Sequence, residues 1–408
     1  MQSTNDIITK LVKFQVKDAK IDNISLNSKN ELIINISKKV VKSVCPCCNH
    51  KTKRIHDHRI QKIKHCPISG YKTFFYLKKT RLLCTNCGKK FYMDYNNIVN
   101  PRFRCSNELF NSIIGSFQFL STSIKDVAKF NFVSTGVVRR YLKIFNYFMQ
   151  WNKTDTLPKH IGIDEFKGNC NGSKYLFHIY DLDTKNTVHI LQSRNYADIV
   201  KFFDSIENRN DVELVTMDLY EPFRNAVKAK LKKATIVADR FHYTRIISNA
   251  LDSYRLQLWH NTKGNEKKYL KGIKKTLLKD IEKVKKDKLL KHEERLNHAF
   301  EISGELKYAY QLYQSFLRIK ECESYQEKVK RFRDWIEDAL SSTLKPFESA
   351  ANTLLRWNKE ILNSFNTNYS NSSTEGKNNK IKVQKRIGYG YRDLEIFSTL
   401  IKLRDCKN

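Results

Sequence analysis

The sequence predicts a multidomain α+β chain: a cysteine-bearing β module, a short helical segment, and an α/β core interrupted by an all-α insertion. Three observations predict it. Two C-x-x-C pairs, Cys45/Cys48 and Cys84/Cys87, bracket a stretch of strand-like alternation. After Pro158, apolar strand patterns come three in succession and then alternate with helices. From about residue 241 to 365 the pattern is nearly all helical.

Residues 1–40 read as two amphipathic strands, K-F-Q-V-K-D-A-K-I and E-L-I-I-N-I-S, feeding the cysteine module. In a cytosolic chain two C-x-x-C knuckles imply a tetrahedral thiolate Zn²⁺ site rather than disulfides. The ligands expected are Cys45, Cys48, Cys84 and Cys87, with Cys47 a competitor and His56, His58 and Cys66 weaker alternatives. The bland alternative is a set of reduced cysteines in a small core. Between the knuckles, R-I-H-D-H-R-I-Q-K-I and Y-K-T-F-F-Y-L-K-K-T-R-L-L read as strands of a zinc ribbon, which closes a first domain at 1–103.

Residues 104–150 read as helices. S-I-K-D-V-A-K-F-N-F-V-S-T-G-V-V-R-R-Y-L-K-I-F has the form of a helix-turn-helix. Ile124, Val127 and Ala128 mark one short helix; Ser134 is an N-cap candidate for a second carrying Val137, Val138, Leu142 and Phe145. Arg139, Arg140 and Lys143 then stand available to phosphates or base edges. A plain three-helix bundle explains the apolar spacing equally well.

Strands follow at K-H-I-G-I-D-E-F-K, K-Y-L-F-H-I-Y-D-L-D and N-T-V-H-I-L-Q-S-R, with D-L-D-T-K-N a turn that makes Asp181 and Asp183 turn residues. A helix at about 196–208, a strand E-L-V-T-M-D, a helix E-P-F-R-N-A-V-K-A-K-L and a strand T-I-V-A-D complete the order of an RNase H-like fold. The core is expected at 158–244 and again at 366–408, around an all-α insertion at 245–365 with its own core. K-K-T-L-L-K-D-I-E-K-V-K-K-D-K-L-L-K-H-E-E-R-L is its clearest helical run.

Three carboxylates stand out. Asp164 lies inside one apolar strand, Asp218 ends another, and Glu375 opens a basic helix. Ionised Asp within an apolar strand calls for a partner. Mg²⁺ and Mn²⁺ prefer oxygen ligands, and two such ions held by about three carboxylates carry out in-line phosphoryl transfer. Each residue has a plainer explanation. Asp164 can face solvent at a strand end, Asp218 can cap a helix, and Ser372-x-x-Glu375 fits a capping box. Glu165, next to Asp164, points to the opposite face of the strand. Lys377, Lys380, Lys382 and Lys385 follow Glu375 and suit phosphates beside a cut. Asn378 and Asn379 share its helix face and are placed to orient it or to touch DNA.

A formal charge of +33 on 408 residues favours a polyanionic partner with salt-dependent affinity. No signal peptide, lipidation motif or apolar run near 18 residues is evident, which predicts a cytoplasmic, nucleoid-associated protein with no membrane partner.

Together these motifs are specific. C-P-C-C, C-T-N-C-G-K-K-F, I-G-I-D-E-F-K-G, M-D-L-Y-E-P-F, A-D-R-F-H-Y, W-N-K-E-I-L and S-S-T-E-G-K-N-N-K-I-K-V-Q-K-R-I-G-Y-G-Y-R-D run in order across about 45–400. The chain resembles bacterial insertion-sequence transposases of the ISL-three group, within the DDE transposases. The resemblance implies a zinc-binding N-terminus, helix-turn-helix DNA binding, an RNase H-like core and the triad Asp164, Asp218 and Glu375. It also matches Asp239 and His242 to an aspartate-x-x-histidine pattern of related insertion-bearing transposases, where they support the site or the transition state. The loop after Asp164, K-G-N-C-N-G, is less basic than the family often carries, which puts its DNA contact in doubt.

The function expected is metal-dependent strand cleavage and strand transfer on double-stranded DNA, at terminal inverted repeats and in target DNA, by a homo-oligomer, a dimer, on that DNA. Two other classes stay open: a domesticated sequence-specific DNA-binding regulator with an inactive core, and an RNase H-like nuclease.

Overall fold

A computed structural model describes residues 19–405 other than 102, 120, 121, 152 and 371; for residues 372–375 it describes the helix but not the side chains. The described chain forms two compact units. The first comprises the residues up to Asn152 together with those from Lys382 onward; the second is Lys153–Ile381.

In the first unit β1 (Ala19–Leu26) and β2 (Leu32–Lys38) form an antiparallel hairpin. The expected first strand starts earlier, at residue 13; its part before Ala19 lies outside the described residues. A short pair, β3 (Ser43–Val44) and β4 (Lys51–Thr52), flanks the first knuckle. The long hairpin β5 (Ile55–Lys64) and β6 (Thr73–Leu83) follows, then β7 (Lys90–Tyr92). The sheet order is β1-β2-β6-β5, with β7 also paired to β6. Register explains the core. Phe75 lies beside Ile34 on one side and Ile63 on the other, and Leu77 beside Ile36. All five side chains are fully buried, under Tyr95, Ile98 and Val99.

Three helices come next: α1 (Asn107–Ser116), α2 (Ile124–Phe130) and α3 (Thr135–Phe148). Ser123 and Asp126 form a capping box at α2, and the Ser134 hydroxyl accepts from Val137 N at 3.4 Å to cap α3. Ile124, Val127, Ala128, Val138 and Leu142 are buried, which fixes the inward faces.

The second unit is built on a five-stranded sheet: β8 (His160–Cys170), β9 (Ser173–Asp181), β10 (Thr187–Leu191), β11 (Leu214–Met217) and β12 (Thr235–Ala238). The order is β10-β9-β8-β11-β12. The first three strands are antiparallel, and β8, β11 and β12 run parallel. The first and fourth strands of the core are therefore neighbours. β8 runs beyond the expected strand through Gly168 to Cys170, so K-G-N-C-N-G is strand and tight turn rather than an open loop. Asn171 and Gly172 both have positive φ there, 47° and 84°. A Cβ on Gly168 would meet Leu176 Cδ1 at 2.3 Å, so a side chain at this position would collide with β9.

Helices α4 (Tyr196–Asp204) and α5 (Glu221–Lys230) are the crossovers, with Pro222 in the first turn of α5. After β12 the chain is helical: α6 (Arg240–Asn261), α7 (Gly264–Gly272), α8 (Lys274–Leu277), α9 (Lys286–Ile302), α10 (Gly304–Arg318), α11 (Tyr325–Ser341), α12 (Lys345–Arg356) and α13 (Asn358–Phe365). Two expectations are corrected here. The lysine-rich run from Lys274 is not one helix: it breaks at Asp280, whose carboxylate accepts from Glu282 N and pairs with Arg318 and Lys320. Nor does the insertion have a separate core. One apolar cluster runs from Ile161 of the sheet and Phe223 of α5 through Tyr243, Phe316 and Trp335 to Ile361. α13 seals the sheet edge, its Asn363 amide donating to Ile236 O of β12 at 2.8 Å.

α14 (Ser372–Ile387) carries the third expected carboxylate, and α15 (Leu394–Asp405) follows. α15 belongs to the first unit and packs on α3. Asn146 donates to Glu395 at 3.2 Å, and Lys402 to Trp151 O at 2.9 Å.

Candidate functional site

The cysteine cluster assembles as expected. The sulfurs of Cys45, Cys48, Cys84 and Cys87 lie within 4.8 Å of one another, with Cys45–Cys87 at 3.6 Å and Cys48–Cys84 at 3.5 Å. Zn–S bonds of about 2.3 Å put the edge of a ZnS₄ tetrahedron at roughly 3.8 Å, so the four sulfurs fit zinc. Each knuckle is shaped by its own backbone. Asn49 N donates to Cys45 O and Gly88 N to Cys84 O, and both turning residues have positive φ, 57° and 71°. The His50 backbone N–H, then the Asn86 side chain, pull the Cys48 thiol down to about 6. Cys87 takes a backbone hydrogen bond at Lys89 that favours thiolate, but the Cys48 sulfur and burial outweigh it and push the thiol up to about 12. The alternative ligands stand elsewhere. Cys47 is exposed, Cys66 lies against buried His65, and His58 bonds Thr80. His56 lies beside Asp57 and Arg81.

The carboxylate site is made by sheet register. β8 and β11 run parallel with Met217 beside Ile163, and β11 and β12 with Met217 beside Ala238. One residue further along, Asp164, Asp218 and Asp239 stand in a row across three adjacent strands. Like charges side by side on a sheet repel, and the row registers it. Burial and then the Asp218 carboxylate push the Asp164 carboxyl up to about 8. His242, in the first turn of α6, brings Nε2 to 3.2 Å from Asp218 Oδ2 and 3.9 Å from Asp239 Oδ2. The ligand atoms of Asp218, Asp239 and His242 all lie within 4.8 Å of one another. Two oxygen donors and a nitrogen donor beside a carboxyl that burial and its neighbour keep protonated suit a divalent cation.

Asp164 is oriented by two donors, the Glu165 backbone N–H at 2.6 Å and the Asn378 amide on α14. Glu165 points to the other face and pairs with Arg194. Glu375 lies one helical turn before Asn378, and its side chain is outside the described residues. Asp181 and Asp183 are turn residues: the Asp181 carboxylate accepts from Asp183 N and Thr184 N. Of the expected DNA contacts, Arg139, Arg140, Lys380 and Lys382 are exposed. Lys377 and Lys385 are half-buried on α14. Lys143 is committed within the fold, 2.8 Å from Asp393 and 3.4 Å from Glu395.

Sequence reasoning missed two features. A cavity of about 880 Å³ opens beside Asp239, with Arg240, Phe241, Lys279, Lys320 and Tyr369 in its wall. Buried His178 stands directly opposite Asp164 on β9. Counting back along the hairpin from the Asn171-Gly172 turn would have put Ile179 there; a register shift between Lys167 and Cys170 brings His178 instead.

Residues 161–401 match the ISL3 transposase family, and residues 42–87 match the zinc-finger of the IS204/IS1001/IS1096/IS1165 transposases. The chain belongs to the ISL3 family of DDE transposases. This transposase is 21% identical over 376 residues to the transposase for insertion sequence element IS1001 of Bordetella parapertussis, across 88% of each chain. It is 32% identical over 104 residues to a Lactococcus lactis subsp. lactis protein named ATP-dependent protease, across only 25% of this chain and 31% of that one. Among solved structures, the Drosophila P element transposase strand transfer complex aligns over 79% of this chain and 94% of that one, with a TM-score of 0.40 and 11% identity.

Proposed function

We propose that this ISL3 transposase cuts and joins DNA at the ends of its element, with Asp164, Asp218 and Glu375 of an RNase H-like core holding two Mg²⁺ or Mn²⁺ ions. The observation that carries the reading is the register-aligned row of carboxylates, with Asp164 pushed up to about 8 by burial and by Asp218. Ions bound there supply a polarised phosphodiester and an activated water or 3′-hydroxyl.

The chain's own residues do the rest. Asp164 and Asp218 present their oxygens from neighbouring strands. Asp239 and His242 extend the donor set around Asp218, beyond the supporting role expected of them. Glu375, one turn before Asn378 on α14, would supply the third carboxylate. No protein nucleophile is required. The cations and rings beside Asp239 suit a DNA strand end. Arg139 and Arg140 suit recognition of terminal inverted repeats by a helix-turn-helix. Zinc in the cysteine cluster is structural, and a dimer pairs two ends in the nucleoid.

The test is cleavage and strand transfer by the full zinc-loaded chain on a plasmid carrying the element's ends. Activity is expected with Mg²⁺ or Mn²⁺ and absent in EDTA, and Glu375→Gln should abolish it while end binding persists. Cleavage by Glu375→Gln at the wild-type rate would return Glu375 to its capping box and make Asp239 the replacement ligand. Specific end binding by an unaltered chain that never cleaves would favour a DNA-binding regulator.

A further inference from the structure

We propose that His178 is a positioning residue for Asp164, acting through the side-chain amide of Asn378. The inference rests on the reading of Asp164 as a metal-holding carboxylate.

His178 is fully buried and pairs in register with Asp164 across the β8–β9 hairpin. Its Nε2 lies 3.2 Å from Thr187 Oγ1 on β10. The Asn378 side chain acts on the imidazole as a hydrogen-bonding neighbour, and the same amide donates through Nδ2 to Asp164 Oδ2. Among the described residues, two buried atoms of this group make no hydrogen bond as drawn: His178 Nδ1 and Asn378 Oδ1. Buried polar atoms are rarely left unpaired, and with Nδ2 given to Asp164 Oδ2 one arrangement satisfies both. The neutral imidazole carries its proton on Nδ1 and donates it to Asn378 Oδ1, while Nε2 accepts from the Thr187 hydroxyl. Burial, then the Lys377 charge, push the His178 pKa down to about 3, so the ring has one proton to place.

The consequence is orientation. An amide can turn either end toward a neighbour, and only the Nδ2 end serves Asp164 in the ionised form that holds a cation. A donor at His178 Nδ1 fixes Oδ1 on its own side and so turns Nδ2 to Asp164. With the Glu165 N–H on the other oxygen, the Asp164 carboxyl is held in one rotamer before any ion arrives and loses its proton to one, as outer partners hold ligands in metal sites.

The experiment uses the full zinc-loaded chain and Mn²⁺ alone, followed by electron paramagnetic resonance titration. His178→Phe keeps the ring and loses both nitrogens; its apparent Mn²⁺ affinity should fall on the order of 10- to 100-fold. His178→Asn keeps a donor at the Nδ1 position and should recover most of the loss, which a purely structural role would not show. Unchanged affinity in His178→Phe overturns the relay, as does His178→Asn performing no better. Asp164→Asn separates the two readings: if it binds Mn²⁺ like wild type, the metal-site reading fails. If it loses Mn²⁺ while His178→Phe does not, only the relay fails. Should His178→Phe not fold, ¹⁵N-histidine NMR of the unaltered chain decides, with the His178 signal identified by its shift in Thr187→Val. An Nδ1–H tautomer is expected, and Nε2–H overturns the proposal.

Discussion

The cysteine cluster and the carboxylate cluster are both anionic groups that fit a cation, yet they are made in different ways. Each knuckle places its two sulfurs by a turn of a few residues closed on its own backbone. The carboxylates come from three strands and are brought together only when β11 inserts between β8 and β12 in one register. The cysteine site presents four sulfurs near tetrahedral spacing, a closed set. The aspartate site presents a row with a cavity beside it, an open one. The difference teaches that the cysteine site needs one hairpin, β5–β6, to join two preformed turns, whereas a site made by register across three strands reports on the whole sheet.

The sharpest way to break this contrast is to remove one member from each cluster. Asp164→Asn and Asp218→Asn should each lower cleavage on the order of 10⁴-fold, measured on end-bearing DNA. The double change should cost little more than either alone, because the ligands act as one unit. Additive losses would mean that the two carboxylates serve separate steps. The changes remove charge and little volume, so zinc content should stay at about one ion per chain. Conversely, Cys84→Ser with Cys87→Ser should abolish bound zinc by elemental analysis and melt the β3–β4 segment. Full zinc retained after both changes would remove the assignment.

The two clusters should also differ in the sign of their pH response. Without a divalent cation, folded Asp164 keeps its proton to about pH 8, while its ordinary value is 3.8. The folded state thus holds the extra proton. Its contribution is fully present below pH ~4 and is lost as pH rises through about 8. Denaturant titration of the metal-free second site should show stability falling over that window by on the order of a few kcal/mol, a fall that Asp164→Asn lacks. The zinc site should fail in the other direction, as protons displace metal from thiolate in acid. A wild-type chain with the same alkaline profile as Asp164→Asn would show that the row is not crowded as described.

Smaller effects test the helical segment. Arg139→Ala and Arg140→Ala should each reduce the salt dependence of DNA binding by about one phosphate contact. Lys143→Ala should instead act on stability, because Lys143 is paired with Asp393 and Glu395. Ser134→Ala should cost about 1 kcal/mol in thermal or chemical unfolding through loss of the α3 cap.

What could be read in advance divides along the same line. The cysteine ligands, the cap of α3 and the five core strands followed from spacing and alternation, which are local. The pairing of β8 with β11 followed from the strand order. Three things were not local and were missed. The break at Asp280 depends on Arg318 and Lys320, far along the chain. The merging of the insertion with the sheet core depends on where Tyr243, Phe316 and Ile361 pack. The pairing of Lys143 depends on Asp393, in the segment just before α15. Asp239 and His242 were placed by resemblance alone; register and the first turn of α6 give them a physical reason to meet Asp218.

α15 packs on α3, and between them the chain lays down all of Lys153–Ile381. This order has a consequence for biosynthesis. At roughly 5–20 residues per second on the ribosome, α3 emerges on the order of ten seconds or more before the helix that covers its Asn146 and Lys143. During that interval the sheet of the second unit can fold, while the first still lacks its closing piece. Arg404, which donates to Phe117 O, is among the last described residues to be made. A chain broken off in translation after Ile381 therefore carries the aspartate row but leaves Asn146 and Lys143 of α3 without the partners that α15 and its approach supply.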